Sequence, residues 1–233
     1  MAIRPVFVPN ENKPPFVEVV QVEFTWHAGF ARSQAQKSIQ SLHLAAKAKG
    51  IFPVLEISSK AFSPLGVRLS AFNLMFKTAN GRVMSVESAF QGSKVFELGG
   101  PYTDLYPMPG RQAKKDIRLQ KSGTLIGFNF LGEDFPTQPL TAFYDWLYLN
   151  ALYQNEPLAR QLLDYKGFTD IAFNPQKSLN CQARAAALYV ALRRRGEIEK
   201  VIQSKDYYLE LVKEERSPSK KKRKPEDNSP RLF

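Results

Sequence analysis

The amino-acid sequence predicts a mixed α/β fold, and three segments near the N-terminus are its clearest indication. Phe16 to Phe24 alternates apolar and polar residues, as a strand with one buried face does. From Ser33, which can act as an N-cap, apolar residues follow helical spacing until just before Gly50. Phe52 to Ile57 then has the pattern of another strand. These segments predict a βαβ extension within residues 1–60.

Residues 61–213 are predicted to form one compact main domain, on which the extension packs. Asn80-Gly81 is a favoured hairpin-turn pair between two apolar runs. In chain order, the predicted elements are strands Leu69–Phe76 and Arg82–Met84, helices from about Val86 to Leu98 and Arg111 to Gln120, strand Thr124–Phe130, helices Leu140–Tyr153 and Glu156–Tyr165, an extended piece Phe168–Phe173 and a helix Asn180–Arg195.

Composition indicates a globular protein without a membrane segment. Of the 233 residues, 43% are apolar and 12% aromatic, which is enough for a proper core. No stretch approaches the about 20 consecutive apolar residues of a membrane span, and residues 1–16 lack the apolar core of a signal peptide. We therefore predict a bacterial protein located in the cytoplasm, where it could associate with the nucleoid.

The cysteine and histidine content argues against a disulfide and against a structural zinc site. Cys181 is the single cysteine, so no internal disulfide can form. With only His27 and His43 beside it, a structural zinc site is not expected. A Cys–His nucleophilic pair stays open, although Cys181 lies in an Ala-rich apolar helix and is more typical of core, as is His43.

The net charge of +11 is shared between the body and the C-terminus. Residues 214–233 are rich in Pro, Ser and Lys without periodicity, which predicts a disordered basic tail. Its run Lys220 to Lys224 resembles a nuclear import signal and is equally consistent with a tail that binds nucleic acid. The body is also basic, which suits a polyanionic partner or simply a basic soluble protein.

Glu87, Gln91 and Lys94 are the first candidates for chemistry. Their i, i+4 and i+7 spacing places them on one face of the helix predicted to begin near Val86. A carboxylate, an amide and an amine together could bind and attack a polar substrate. The alternative is an ordinary solvent-facing stripe, and spacing alone favours that alternative.

Two other segments carry candidate binding residues. Ser70, Phe72 and Asn73 precede the hairpin, where small polar residues often contact ligands. Asp145 and Trp146 lie in an aromatic-rich helix, where the indole could stack on a base or ribose. Core packing is the alternative for Trp146 and is the usual position of a helical tryptophan.

These residues resemble the motifs of the NADAR family. Leu69-Ser70-Ala71-Phe72-Asn73 is similar to the family's Leu-Ser-Asn-Phe opening. Ser85-Val86-Glu87-Ser88-Ala89-Phe90-Gln91-Gly92-Ser93-Lys94-Val95-Phe96 is similar to its central Thr-Val-Glu-His-Tyr-Phe-Gln-x-x-Lys-Phe signature. The downstream motifs of the family are matched only weakly, by Trp146, by Asn155-Glu156-Pro157-Leu158 and by the helix Asn180–Arg195. The resemblance covers about Ser63 to Arg195.

The resemblance implies an α/β fold and hydrolysis of N-glycosidic bonds to ribose. One branch removes ADP-ribose from guanine in nucleic acid and is the antitoxin of DarT-type ADP-ribosyltransferases, and this chain looks most like that branch. It implies ADP-ribosylated DNA, or RNA, as substrate, a cognate toxin as partner, and no cofactor or metal. Glu87 and Lys94 would be catalytic. The implied substrate-binding residues are Ser70, Phe72, Asn73, Ser85, Gln91, Asp145, Trp146, Asn174, Lys177 and Asn180.

The sequence departs from the family in two places. Before the last helix the family carries Asp followed by Trp-Gly, whereas Phe173 to Asn180 contains neither Asp nor Trp. A second acidic residue is therefore not expected there, and Asn174, Lys177 or Asn180 could take its binding role. Ser88 and Ala89 replace the His and Tyr of the central motif.

Two other functions remain open at this point. One is hydrolysis of a small ribosylamino metabolite, such as a riboflavin-pathway intermediate. The other is a non-catalytic module that binds ADP-ribose or nucleic acid.

Overall fold

A computed structural model describes residues 1–175, 178 and 180–213. The predicted binding residue Lys177 and the predicted tail, residues 214–233, lie outside the described residues. The strands are β1 (Ala2–Pro9), β2 (Val17–Phe24), β3 (Val54–Glu56), β4 (Met75–Lys77), β5 (Val83–Ser85), β6 (Lys94–Phe96), β7 (Leu125–Phe130), β8 (Glu133–Phe135) and β9 (Gly167–Thr169). The helices are α1 (Arg32–Ala48), α2 (Pro64–Arg68), α3 (Val86–Gly92), α4 (Gly110–Ala113), α5 (Arg118–Lys121), α6 (Ala142–Gln154), α7 (Glu156–Leu162), α8 (Gln182–Arg194), α9 (Ile198–Gln203) and α10 (Lys205–Lys213), with a 3₁₀ turn at Thr103–Leu105.

The described strands form three sheets, and the largest joins the three N-terminal strands to β9. Its order is β2-β1-β9-β3, with β1 antiparallel to both neighbours and β3 parallel to β9. The predicted βαβ unit is confirmed, because β2 and β3 belong to this sheet and helix α1 lies between them in the chain. The sequence did not predict β1, which pairs along its whole length with β2, nor that β9 would lie beside β3.

Strand β9 connects the first 60 residues to the rest of the chain, because it pairs with both β1 and β3. It pairs with β3 from Val54 opposite Gly167 to Glu56 opposite Thr169. The main hydrophobic core includes Phe7 and Phe16 together with residues of α6 and α8. The mixed α/β class and the single compact domain are therefore confirmed, and the division at residue 60 stays a prediction.

The hairpin at Asn80-Gly81 is confirmed, with Phe76 of β4 opposite Met84 of β5. The chain before it differs from the prediction, because Leu69–Leu74 follows α2 in turns and only Met75–Lys77 is strand. Ser33 as N-cap is also wrong. Helix α1 begins at Arg32 after Ala31, and no side chain caps it.

The predicted helix from Val86 to Leu98 ends at Gly92, and Lys94–Phe96 is strand β6, antiparallel to β7. Close packing explains the glycine at the last position of the helix, because a Cβ on Gly92 would lie 2.7 Å from the ring of Tyr106. The predicted helix from Arg111 to Gln120 is likewise replaced by the short helices α4 and α5, with a turn between them. Helices α9 and α10 were not predicted.

Aromatic packing fixes α3 at the centre of the molecule. Every residue of α3 is buried. The Phe90 ring packs against Phe128 at 5.5 Å and edge-on against Tyr144 at 5.2 Å, between ring centroids. Such pairs stabilise a core beyond the apolar area that they bury. Glu87 and Gln91 therefore project from a rigid element. Among the described residues, no helix is long and apolar enough to cross a lipid bilayer.

Candidate active site

A cavity of about 730 Å³ lies beside α3, with walls from α3, β6, α6, and the segments around β9 and the start of α8. Ordinary ligand pockets have volumes of this order. Of the residues predicted from the sequence, Ser70, Phe72, Glu87, Gln91, Lys94 and Asn180 line it.

Glu87 is held in the cavity wall by the start of α3. The Ser85 hydroxyl accepts a hydrogen bond from the Ser88 amide and caps the helix. The Glu87 amide donates to the Ala71 carbonyl at 3.0 Å. Glu87 is 5% exposed, and its Oε1 accepts a hydrogen bond from Gln91 Nε2 at 2.8 Å. The carboxylate is thus fixed, with its remaining lone pairs available to a ligand.

Lys94 reaches the same cavity from β6 rather than from the helix. The predicted single helical face is therefore wrong for Lys94, although the three side chains do meet. Its Nζ lies 4.8 Å from the centroid of the Phe90 ring. Burial lowers the pKa of Lys94 to about 8, against the opposing effect of the Glu87 carboxylate, and nearby Lys114 lowers it further. An amine with this pKa is partly neutral near physiological pH.

Of the predicted binding residues that line the cavity, Ser70 and Asn180 present unsatisfied polar atoms. In the described part of the chain, Ser70 Oγ and Asn180 Oδ1 are buried without a hydrogen-bond partner, and both residues line the cavity. A buried polar atom without a partner is destabilising by about 1–3 kcal/mol, so a ligand hydroxyl there would be favourable. Both atoms remain predicted contacts for substrate.

The predicted residues Asn73 and Ser85 make structural hydrogen bonds outside the cavity. Asn73 is exposed, and its amide donates to the Val67 carbonyl at 2.8 Å. Ser85 is the helix cap described above. Asn174 is not among the residues that line the cavity. For all three, a direct substrate contact stays a prediction.

The predicted pair Asp145 and Trp146 packs behind the cavity on α6. Buried Asp145 forms an ion pair with Arg184 of α8, and burial raises the pKa of Asp145. The Trp146 ring packs on Phe135, with centroids 4.9 Å apart. Neither residue lines the cavity. Their contacts are those of helix packing.

Asp170 supplies a second carboxyl group that sequence reasoning missed. It follows β9 directly, three residues before the stretch where the family pattern was sought. Gln182 Nε2 donates to Asp170 Oδ2 at 3.0 Å, and the Ala172 amide donates to Oδ1 at 3.0 Å. Burial raises the pKa of Asp170. Its position at the end of a strand was the signal that could have identified it.

Lys114 was also missed, because no helical spacing relates it to Glu87. It follows α4, and its Nζ lies 3.4 Å from Glu87 Oε1 and 5.5 Å from the Phe72 ring centroid. Arg111 Cζ lies 5.8 Å from the centroid of the same ring. More than half of the Lys114 side chain is exposed, at 58%. The cavity therefore combines inner carboxyl groups with cations and an aromatic ring at its edge.

Cys181 lacks the properties of a nucleophilic cysteine. It is buried at the start of α8, and burial raises the pKa of its thiol well above the ordinary value. His43 lines a different cavity. Within the part of the chain that the structure describes, no cluster of three or more His, Cys, Asp or Glu could hold a metal ion.

Comparison with known families identifies one match along nearly the whole chain. Residues 2–222 match the model of the NADAR-DarT1 family, described as DarT1-associated NADAR antitoxin. The match extends through the first 60 residues, beyond the part in which the motifs were recognised. No curated protein is significantly similar to this chain.

Proposed function

Because the chain belongs to the NADAR-DarT1 family of DarT1-associated NADAR antitoxins, we propose that it hydrolyses the N-glycosidic bond between ADP-ribose and guanine in nucleic acid. In this way it would reverse the modification made by a toxin ADP-ribosyltransferase. The observation that carries the proposal is the convergence of Glu87, Lys94 and Lys114 in one cavity.

Glu87 is proposed to act at the anomeric carbon of the ribose. When the carbon–nitrogen bond breaks, positive charge develops on that carbon, and a fixed carboxylate beside it stabilises the charge or takes a proton from attacking water. The hydrogen bond from Gln91 holds the carboxylate in place. Acid–base assistance of this kind accelerates a reaction by about 10²–10⁴-fold.

Lys94 is proposed to act as the nucleophile. Its nitrogen forms a bond to the anomeric carbon, and guanine departs with the electron pair of the broken bond and the proton that the amine loses. The bond from the anomeric carbon to the ring oxygen then breaks, the ring oxygen takes the remaining proton of the nitrogen, and an imine forms. Water hydrolyses the imine to restore the amine and release ADP-ribose. A neutral amine is required, which the lowered pKa of about 8 provides. Binding of a phosphate by the ammonium form is the competing role.

The edge of the cavity suits the phosphates and base of the substrate. Lys114 and Arg111 supply positive charge beside the Phe72 ring. Phosphate groups favour such cations, and aromatic faces stack on bases. Ser70, Gln91 and Asn180 would hydrogen-bond ribose hydroxyls, and the net charge of +11 would attract the polyanion.

The direct test measures release of ADP-ribose from an oligonucleotide carrying guanine-linked ADP-ribose. We expect multiple turnovers, and we expect no comparable cleavage of a ribosylamino-pyrimidine at equal concentration. Preferential cleavage of the small compound would assign the cavity to a metabolite instead. Tight binding of the oligonucleotide without release would indicate a non-catalytic module.

Gly110 offers a test of how closely Glu87 must be held. A Cβ at Gly110 would lie 2.9 Å from Glu87 Cβ, 3.0 Å from Ser85 Oγ and 3.2 Å from a Phe72 ring carbon. We expect Gly110→Ala to displace Glu87 and to lower kcat by about 10–100-fold, because small misplacements are costly in catalysis. Gly127→Ala is the control, since its Cβ would meet only a backbone oxygen at 3.5 Å. Equal turnover by the two variants would show that Glu87 tolerates displacement.

A further inference from the structure

A second cavity, of about 530 Å³, lies between α1 and β3. Its described lining residues include His43 and Glu56, and none of them lines the candidate active site. Glu56 is nevertheless 3% exposed and ends the strand that pairs with β9. A buried carboxyl group at the floor of this cavity has no part in the proposed reaction.

Three side chains form a continuous hydrogen-bonded line from α1 to the end of β3. His43 Nε2 lies 2.9 Å from the Thr169 hydroxyl, and that hydroxyl lies 2.7 Å from Glu56 Oε2. The other carboxyl oxygen, Glu56 Oε1, accepts from the Ile171 amide at 2.9 Å. Thr169 is fully buried, at 0% exposure, so its hydroxyl has these partners instead of water.

This line can be arranged in two directions, because a hydroxyl has one proton to donate. When Glu56 is ionised, Thr169 donates to its carboxylate and His43 Nε2 must donate to Thr169. When Glu56 is protonated, its O–H donates to Thr169 and Thr169 donates to an unprotonated His43 Nε2. The protonation of Glu56 therefore depends on which ring nitrogen of His43 carries the proton.

Glu56 and Asp170 are neighbours across β9. Glu56 pairs in register with Thr169, and Asp170 is the next residue along the chain. Asp170 lines the active-site cavity, whereas Glu56 lines the second one. Burial, and then the negative charge of Asp170, raise the pKa of Glu56. Two nearby buried carboxyl groups do not both ionise readily.

We propose that Glu56 and Asp170 share one proton, which Glu56 holds and exchanges through Thr169 and His43. Asp170, which lines the active-site cavity, then carries the single negative charge of this pair. When Glu56 loses its proton, the proton passes to the Thr169 oxygen, the Thr169 proton passes to His43 Nε2, and His43 releases its Nδ1 proton to water in the second cavity. Any effect of the Asp170 charge on catalysis rests on the proposed function, but the sharing of the proton does not.

The other ionisable groups around this pair permit the same assignment. Burial lowers the pKa of His43 to about 4, so its ring is neutral at neutral pH. Lys114 acts on Asp170 and favours its ionised form. Burial raises the pKa of Tyr144, Tyr148 and Cys181, and the negative charge of Asp170 raises it further. At the second cavity, Lys47 and Tyr165 complete the titratable lining.

The test is ¹³C NMR of the full chain labelled at its Asp and Glu side-chain carboxyl carbons, without substrate. Glu56→Gln and Asp170→Asn assign the two resonances. We expect Glu56 to titrate well above the ordinary range of a glutamate. We expect Asp170→Asn to lower the apparent pKa of Glu56 by removing the neighbouring charge. We expect His43→Leu to lower the apparent pKa of Glu56 by about one unit. When Glu56 is protonated, the Thr169 hydroxyl loses its acceptor in this variant, whereas it still donates to Glu56 when Glu56 is ionised.

Gln40→Leu is the matched control, since Gln40 lines the second cavity from the same helix outside the line. Should Glu56→Gln not fold, Thr169→Val identifies the same resonance by its displacement. Titration of Glu56 in the ordinary range of a glutamate would overturn the proposal, as would equal shifts of the Glu56 pKa in His43→Leu and Gln40→Leu. Because no substrate is present, an enzyme that failed to release ADP-ribose would leave this result unchanged.

Discussion

Glu87→Gln is expected to reduce release of ADP-ribose from guanine-modified DNA by about 10²–10⁴-fold while the protein stays folded. Glutamine has the same shape and still offers an oxygen to Gln91, whose amide donates to Glu87 at 2.8 Å. It cannot carry the negative charge that would stabilise the ribose cation. The loss of the 3.4 Å contact with the exposed amine of Lys114 would change stability little. Release assays and thermal unfolding measure the two effects separately.

Glu18→Gln is the matched control, because Glu18 is an exposed carboxylate on β2 away from the cavity. In cells that express the partner toxin, we expect protection by wild type and Glu18→Gln, and no protection by Glu87→Gln. Wild-type turnover by Glu87→Gln would remove the carboxylate from the mechanism.

Lys94→Arg is expected to lower turnover by about 10²–10³-fold, nearly as much as Lys94→Ala. Arginine keeps the positive charge beside the Phe90 ring but cannot form an imine under these conditions. A lysine that only bound phosphate would be largely replaced by arginine. The pair of variants therefore separates the nucleophile from the phosphate-binding cation.

Trapping with borohydride measures the same step directly. Wild type should form a covalent adduct with substrate, and its yield should rise as pH increases toward and past about 8, because the Lys94 amine loses its proton in that range. Neither Lys94 variant should form the adduct. Lack of an adduct on wild type at every pH, together with good turnover by Lys94→Arg, would show that Lys94 binds rather than attacks.

The sequence predicted those parts of the fold and site whose signal is local. The hairpin at Asn80-Gly81 follows from turn chemistry, and the long helix α6 was predicted from an aromatic-rich segment. Both form. Glu87 and Gln91 were placed correctly beside each other because one turn of helix separates them. Local patterns determine such features before any tertiary contact is made.

The parts that the sequence did not predict depend on contacts between distant segments. Lys94 is in a strand because β7 pairs with it, and that partner begins about thirty residues further along the chain. Asp170 reaches the cavity because Gln182 of α8 binds it. Lys114 meets Glu87 across a loop of no regular spacing. No single window of sequence contains these pairs, so periodicity could not reveal them.

The central claim is that the cavity beside α3 holds ADP-ribose with its anomeric carbon next to Glu87. A crystal structure of Glu87→Gln with an uncleaved guanine-modified oligonucleotide tests this most directly. We predict the anomeric carbon within about 3–4 Å of the residue 87 side chain or of Lys94 Nζ, the separation required for reaction. A substrate bound elsewhere on the protein, with this cavity filled only by water, would contradict the assignment of the active site.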